Sequence, residues 1–315
     1  MWVDEDGNIL GSVTIGGCVD ARVIEASAKA LEDDAPALLS MALGDEDAWA
    51  IGMTCAGTIE VLVEPVEPAG EVARALGTAQ DEVSSGRSAV VVASLSGDPR
   101  RLVVTSRGVS GSLGDSAVDA AAATEATSLL VSGTSGVRDA GGERLYFERH
   151  APPLTLIVFG ATHVAMPLVS LGRVMGLRTV VVDGRDRFAT RERFPDADEL
   201  LVGMPSELAE RMPLGRESLV VLLSHDYKYD LPVLRAVLDS EAAYVGVLGS
   251  RRRGRALLEF LAGEGVSRQA LERVRIPVGL DIGGNTPEEI ALSVLAEAVA
   301  VHHGRTGGPM RERSS

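Results

Sequence analysis

The chain has few of the residues that would narrow its class quickly. Among 315 residues there are two cysteines, Cys18 and Cys55, in no CxxC pair and without the four-ligand spacing of a structural zinc site. A disulfide framework is thereby excluded, and a cytosolic setting would keep both thiols reduced. Aromatic residues make up only 3% of the chain, so any core must be built from Val, Leu, Ala and Ile. No apolar run reaches about 18 residues, the length that reads as a membrane span. The opening MWVDEDGN is acidic and lacks the basic-then-apolar pattern of a secretory signal, so a cytoplasmic protein is expected. Lysine is nearly absent, with 28 of the 30 basic residues being arginine.

Charge is abundant but lopsided. The net charge is −15, and residues 1–150 hold 24 acidic against 10 basic groups, while residues 151–315 hold 21 against 20. An acidic front half argues against nucleic acid as a partner and serves solubility equally well. The length suits two domains, each able to bury a core.

The front half opens on a hairpin signal, Asp6-Gly7 between apolar stretches, followed by a helix over 18–32. Strands are expected at 48–53 and 58–63 around Cys55-Ala56-Gly57. A helix at GEVARALGTAQDEVSSG, paired strands SAVVVASL and RRLVVTS, and a helix at VDAAAATEATSLLVSG complete an α/β domain over 1–135. Gly, Ser and Pro dominate 132–153, so 136–152 reads as a linker that carries one short strand-like piece, RLYFER. From Leu154 the rhythm becomes strand, helix, strand, helix. LTLIVFG, LRTVVVD, ESLVVLLS and AAYVGVLG are continuous apolar runs suited to buried parallel strands, which predicts a Rossmann-like doubly wound sheet over 153–304. Residues 305–315 read as a disordered tail.

The candidate site residues cluster at strand-to-helix turns. FGATHVAM lies where a dinucleotide fingerprint would, with Gly160 at the turn, His163 at the helix start and Asp183, 23 residues on, ending the next strand. The second glycine of that fingerprint is Thr162. A helix N-terminus can still hold an anion there, and so can a Rossmann-like scaffold with no dinucleotide at all. His225 and Asp226 follow another strand, as an acid/base or ligand pair, or as a capping Asp beside a solvated His. Gly249 and Ser250 precede Arg251, Arg252 and Arg253, a first turn whose like charge opposes the helix dipole unless an anion sits there. Thr286, Pro287 and Glu289 form a capping box that explains the last helix start, whereas the glycines of GLDIGG, with Asp281, suggest backbone close to a ligand. At the front, Gly16 and Gly17 place Cys18 at a helix start, where the dipole lowers a thiol pKa; a small buried cysteine in a tight turn fits the spacing as well, and Cys55 poses the same choice.

In combination these stretches resemble a known family. GSVTIGGCVDARVIE and TCAGTIEVLVEP resemble the N-terminal domain of the xanthine dehydrogenase accessory proteins, XdhC/CoxI. VFGATHVAMPLVSLGRVMGLRTVVVDGRD, LLSHDYKYDLPVLRAVL, YVGVLGSRRR and PVGLDIGGNTPEEIALSVLAEAVA resemble its C-terminal Rossmann-like domain. The resemblance implies a front domain shortened at its start relative to the family, and two changed motifs: Cys55-Ala56-Gly57 stands for Cys-Gly-Gly, and Gly160-Ala161-Thr162-His163 for Gly-Ala-Gly-His. It further implies a homodimeric, non-catalytic factor that binds molybdopterin (molybdenum cofactor) as cargo. Such a factor would work with a cysteine desulfurase and deliver the cargo to a molybdenum hydroxylase apoenzyme such as xanthine or carbon monoxide dehydrogenase. On this reading Gly16, Gly17, Cys18 and Cys55 form one wall of the site, with Cys18 a candidate molybdenum contact. Gly160, His163, Asp183, Arg185, His225, Asp226, Gly249, Ser250 and Arg251 form the other, closed by Asp281. Arg251 and the Ser250 turn take the phosphate, and Asp183 takes hydroxyl or pterin N–H groups. The competing expectations are an NAD(P)-dependent oxidoreductase and a purely structural partner of a molybdoenzyme.

Overall fold

The computed structural model describes residues 1–11, 13, 19–43, 57–96, 98–131, 133–224 and 226–312. The chain divides into two compact units, Met1–Pro152 and Pro153–Ser315.

The first unit begins with the expected hairpin. β1 (Trp2–Val3) and β2 (Ile9–Leu10) pair around Gly7, whose φ of 78° suits the turn, and the Asp4 side chain accepts the Asn8 N–H at 2.7 Å. Helix α1 (Asp20–Asp33) packs on a two-stranded antiparallel sheet of β3 (Ala37–Leu43) and β4 (Gly57–Val63). The partner of β4 is therefore ALLSMAL, a strand that the sequence reading missed; the strand expected at 48–53 lies outside the described residues. Leu39 and Met41 turn inward toward Val23 and Ala30 of α1, while Leu38 and Ser40 face out, the period-two pattern of a half-buried strand.

A five-stranded antiparallel sheet follows, in the order β7-β6-β5-β9-β8: β5 (Ala89–Ser94), β6 (Arg101–Thr105), β7 (Gly108–Gly111), β8 (Gly136–Ala140) and β9 (Glu143–His150). Helix α2 (Glu71–Ser84) covers one face with Ala75 and Ala79 against Ala89, Val91 and Val103; α3 (Ser116–Val131) covers the other with Val118, Ala122 and Ala126 against Val90, Val92 and Val104. Two-sided burial is why β5 is apolar without alternation. The stretch 136–152, read as a linker, instead holds β8 and β9. β9 lies beside the central β5 and buries Leu145 and Phe147 completely. Its glycines make a tight hairpin turn: Gly141 and Gly142 both have positive φ, 62° and 82°, the combination that two-residue hairpins need.

Two buried charges hold this unit together. Arg101, 3% exposed, grips the Glu64 carboxylate and donates its backbone N–H to Glu71 at 3.2 Å. Glu82 on α2 is 0% exposed and accepts from Arg87 Nε at 2.6 Å and from Arg107.

The second unit is a six-stranded, fully parallel sheet: β10 (Thr155–Phe159), β11 (Arg178–Asp183), β12 (Glu199–Val202), β13 (Ser218–Leu222), β14 (Tyr244–Val247) and β15 (Val274–Arg275). Spatially they run β12-β11-β10-β13-β14-β15, so the chain works outward from β10 in one direction and then returns to build the other side. Helices α4 (Ala165–Val174) and α9 (Pro287–His302) cover one face, with Leu168, Val294 and Leu295 on Leu156, Val158 and Val221. Helices α5 (Pro205–Arg211), α6 (Tyr227–Leu238) and α7 (Arg251–Gly263) cover the other, with Val233, Leu234 and Leu257 on Ile157, Val220 and Val245. A short α8 (Arg268–Glu272) leads into β15. The capping box at Thr286 and Glu289 forms as expected. The stretch read as a disordered tail includes a 3-10 turn at Met310–Glu312. Among the described residues no helix is long and apolar enough to cross a membrane.

The reversal between β10 and β13 is the topological switch point, where folds of this kind open a crevice at the carboxyl ends of the strands. The chain leaves β10 at Gly160, whose φ is +105° and whose added Cβ would lie 3.0 Å from the Ser224 backbone nitrogen.

Gly160→Ala combines a disfavoured φ with a clash against backbone, so it should lower the unfolding free energy by about 1–3 kcal/mol in chemical denaturation; an unchanged midpoint would refute the close approach. In the first unit, the Arg87 hydrogen bond outweighs the burial of Glu82 and, with Arg107, holds its carboxyl below the ordinary 4.5. Its stabilisation is therefore complete above that value and is lost as acid takes the pH down through the lowered one. Glu82→Gln should flatten the fall in stability between about pH 5 and pH 3, which denaturation series at each pH will measure.

Candidate functional site

Parallel register brings most of the expected residues of the second unit to one edge of the sheet. Phe159 stands level with Val182 and Leu222, and Leu222 with Val247, so the turns carrying Gly160, Asp183–Arg185, Asp226 and Gly249–Ser250 all leave the sheet at its carboxyl end. The turn after β10 is held from both sides: the Gly160 N–H donates to the Val182 carbonyl at 2.8 Å, and the Leu223 N–H to the Phe159 carbonyl at 2.8 Å.

Asp183 is the organising group. It is 4% exposed, and both of its oxygens are occupied by the protein. Oδ2 accepts the Ala161 N–H at 2.7 Å and Arg185 Nη2 at 2.8 Å; Oδ1 accepts the Arg185 N–H at 2.9 Å and Nε at 2.8 Å. Burial alone would raise its carboxyl, but the Arg185 and backbone donors prevail and hold it below the ordinary 3.8. The acid that a dinucleotide fold offers to ribose is here turned inward, bracing the Gly160 turn. Arg185, 56% exposed on its side chain, lies 3.9 Å over the Phe188 ring, and Arg193 lies 5.3 Å from that ring. Arg193 Nη1 also donates to the Ala161 carbonyl at 3.0 Å, so the turn is clasped by a carboxylate on its N–H and a guanidinium on its C=O.

A second network joins the β13 and β14 turns. The Ser224 hydroxyl donates to Asp230 Oδ1, and Arg253 Nη2 donates to Oδ2 at 2.8 Å. Asp230, on α6, is 2% exposed. The Arg253 guanidinium lies 4.4 Å from the Tyr227 ring, and its backbone N–H donates to the Ser250 cap at 3.2 Å. Asp226 caps α6 through the Lys228 N–H at 2.9 Å. Of the three arginines opening α7, Arg251 and Arg252 are exposed and Arg253 turns inward.

Sequence reasoning missed Ser224, Asp230, Arg193 and Phe188, and read Arg253 with Arg251 and Arg252 as facing an anion, whereas it pairs with Asp230. A signal existed for Asp230, which stands four residues from the Asp226 cap and so shares a helix face with a residue that the sequence had picked out. Two of the three glycines of GLDIGG need correction, while Gly283, with φ +75°, has open space beside it. A Cβ on Gly279 would lie 2.4 Å from Ser293 Oγ, and one on Gly284 would lie 2.5 Å from Glu289 Cβ, so these positions are small because the loop packs on α9. The loop is pinned where Glu297 Oε2 accepts the Gly279 N–H at 2.8 Å and the buried Tyr244 hydroxyl at 2.6 Å. Asp281 is exposed. His163, with Met166, Ser170, Arg193, Asp196 and Glu288, lines a cavity of about 430 Å³ beside α4 and the start of α9, which shares Arg193 with the Gly160 turn. Gly16, Gly17, Cys18, Cys55 and His225 lie outside the described residues. Among the described residues no group of three or more His, Cys, Asp or Glu side chains is placed to hold a metal ion.

Comparison with known proteins agrees with this architecture. Residues 156–298 match the model of the XdhC Rossmann domain, and residues 1–42 match that of the XdhC and CoxI family. A Bacillus subtilis protein described as a probable xanthine dehydrogenase subunit is 28% identical over 302 residues, spanning 95% of this chain and 86% of its own. The molybdenum cofactor insertion chaperone PaoD of Escherichia coli is 39% identical over 88 residues, 28% of each chain. A crystal structure from Bacillus halodurans, described as a xanthine dehydrogenase, superposes with a TM-score of 0.75 at 27% identity, covering 99% of this chain and 87% of that one. With two family models that together span more than half of its residues, and a parallel-sheet unit of the matching kind, the chain belongs to the XdhC/CoxI family.

Proposed function

We propose that this protein is a carrier for the maturation of molybdenum hydroxylases, binding molybdenum cofactor as cargo and passing it to the apoenzyme. The role of its relative PaoD in cofactor insertion supports the reading. The structural observation that carries it is the engagement of Asp183. In an NAD-dependent oxidoreductase that carboxylate must be open to the ribose hydroxyls, whereas NADP is met there by an arginine, so the engagement of Asp183 argues against NAD and calorimetry decides on NADP. With its oxygens filled by Arg185 and Ala161, the carboxyl edge of the sheet presents guanidinium groups to a guest, not an anion. Arginines are suited to a phosphate, which they bind through paired N–H donors. Arg185, held by Asp183 and stacked over Phe188, is the phosphate-side group of choice; the Ser250 turn and Arg251 stand at the end of β14, with β10 and β13 between.

The protein acts here as a carrier and not as a catalyst. Cys18 extends the proposal to the first unit, as a thiolate suited to a soft metal centre. A cysteine desulfurase that installs the terminal sulfur, and a second copy of the chain, are the remaining partners proposed.

Purified from cells that make the cofactor and then oxidised, the protein should release a fluorescent pterin alongside molybdenum. A preparation lacking both would overturn the carrier role. Calorimetry with NADH and NADP should register no binding at millimolar ligand; saturable uptake of either would favour the oxidoreductase. Arg185→Ala removes the guanidinium and leaves Asp183 with only its two backbone donors, so pterin retention should drop by about tenfold, and Arg185→Lys should recover part of it. Cys18→Ala should reduce the molybdenum carried at unchanged thermal stability.

A further inference from the structure

The last helix of the Rossmann-like unit, α9, is apolar on more sides than the sheet can use. Between Pro287 and His302 its acids are Glu288, Glu289 and Glu297. Glu289 closes the capping box, and Glu297 turns in to the Gly279 N–H and the Tyr244 hydroxyl. Ala291, Val294, Leu295 and Ala298 face the core. The outward side of such a helix is ordinarily polar. Here it is a seam of Leu292, Ala296 and Val299, with Leu292 51% exposed. Glu288 stands at the head of the seam and His303, the C-cap, at its foot, both exposed. Steps of three or four residues keep all five on one face. Contiguous apolar surface of this kind marks an interaction site.

The seam itself says what covers it. Glu288 and His303 stand equally far from the Leu295–Ala296 midpoint, and so do Leu292 and Val299. A second α9 laid antiparallel across the first therefore sets Leu292 against Val299 and Glu288 against His303, twice each, which is the self-complementarity that a two-fold axis demands. Ala296, at the axis, leaves room for the two helices to approach. The ends match chemically. Among the described residues neither the Glu288 carboxylate nor the His303 ring has a hydrogen-bond partner, and an imidazole N–H can donate to a carboxylate in either protonation state. Antiparallel packing also sets the negative end of each helix dipole beside the positive end of the other. One helix seam falls short of the roughly 800 Å² per partner of a stable interface. Helix α4, packed alongside α9, ends in Val174 and Met175, 84% and 55% exposed, and widens the apolar surface.

We propose that a second copy of the chain docks through α9, antiparallel to its counterpart about a two-fold axis at Ala296. The inference rests on the second copy named with the carrier role and gives it a surface. Glu288 also lines the His163 cavity, so the pairing brings the partner's His303 to the rim of that cavity, and each cavity is completed by the other chain.

The test is sedimentation of the full chain over a concentration series, with a far-UV circular dichroism spectrum of each variant to show that it folds. The unaltered protein should sediment as a dimer. Leu292→Glu should raise the dimer dissociation constant by about a hundredfold at an unchanged spectrum. Glu288→Lys and His303→Glu should each weaken the dimer by about tenfold, and the double variant should regain most of that affinity, because opposite charges then meet across the axis. Only the antiparallel register gives this rescue. A dimer that Leu292→Glu leaves as tight as before, or a double variant without rescue, would overturn the α9 interface while leaving the carrier reading to its pterin content. If Leu292→Glu stays dimeric but no longer passes cofactor to an apoenzyme, the face belongs to the client and the assignment to a second copy fails. A chain that is monomeric at every concentration would remove the second copy as well.

Discussion

A single buried carboxylate braces the switch point of the Rossmann-like unit. Asp183 ends β11 at the level where the chain turns out of β10, and its two oxygens take four donors from Ala161 and Arg185. Burial makes such a charge costly unless it is fully paired. The pairing therefore does two things together: it locks the Gly160 turn against β11, and it fixes a guanidinium at the crest. Arg185 then aligns over Phe188, and Arg193 completes the clasp from the other side of the turn. The scaffold of a dinucleotide fold is preserved while its ribose-binding group has become a structural brace.

The neighbouring turns follow the same plan. Ser224, Asp230 and Arg253 link the ends of β13 and β14 through a carboxylate that is nearly inaccessible to water. Glu297 does the same for the loop after β15, receiving both the Gly279 N–H and the Tyr244 hydroxyl. Three of these connections are thus tied by an acid, Asp183, Asp230 or Glu297, the first two nearly inaccessible to water, so this part of the crest is a set of braced turns. That rigidity suits a binding surface, whose groups must be held in place before the guest arrives. In the first unit, Glu82 and Arg101 play the corresponding structural part around α2, with a sheet covered on both faces by alanine-rich helices.

Much of this was legible in the residues themselves. Continuous apolar runs at 155–159, 178–183, 218–222 and 244–247, alternating with helical stretches, mark strands buried on both faces of a parallel sheet, and the Thr286–Glu289 box marks the start of α9 without ambiguity. The β8–β9 hairpin was not legible. Its Gly141-Gly142 turn has the composition of a linker, and the burial of Leu145 and Phe147 arises from a partner, β5, about fifty residues earlier in the chain. β3 was hidden likewise, because its role depends on pairing with β4.

The sequence by itself determined the periodicities, the caps and the family motifs, since these depend on residues a few positions apart. It also placed Gly160, Asp183 and Ser250 at strand ends. Only the tertiary structure decided how those groups are used. Whether Asp183 faces a guest or a neighbouring arginine, which of three consecutive arginines turns inward, and whether the glycines of GLDIGG approach a ligand or α9 are outcomes of packing between distant segments. Local pattern carries no record of them, because hydrogen-bond partners are assigned by three-dimensional proximity and not by spacing along the chain.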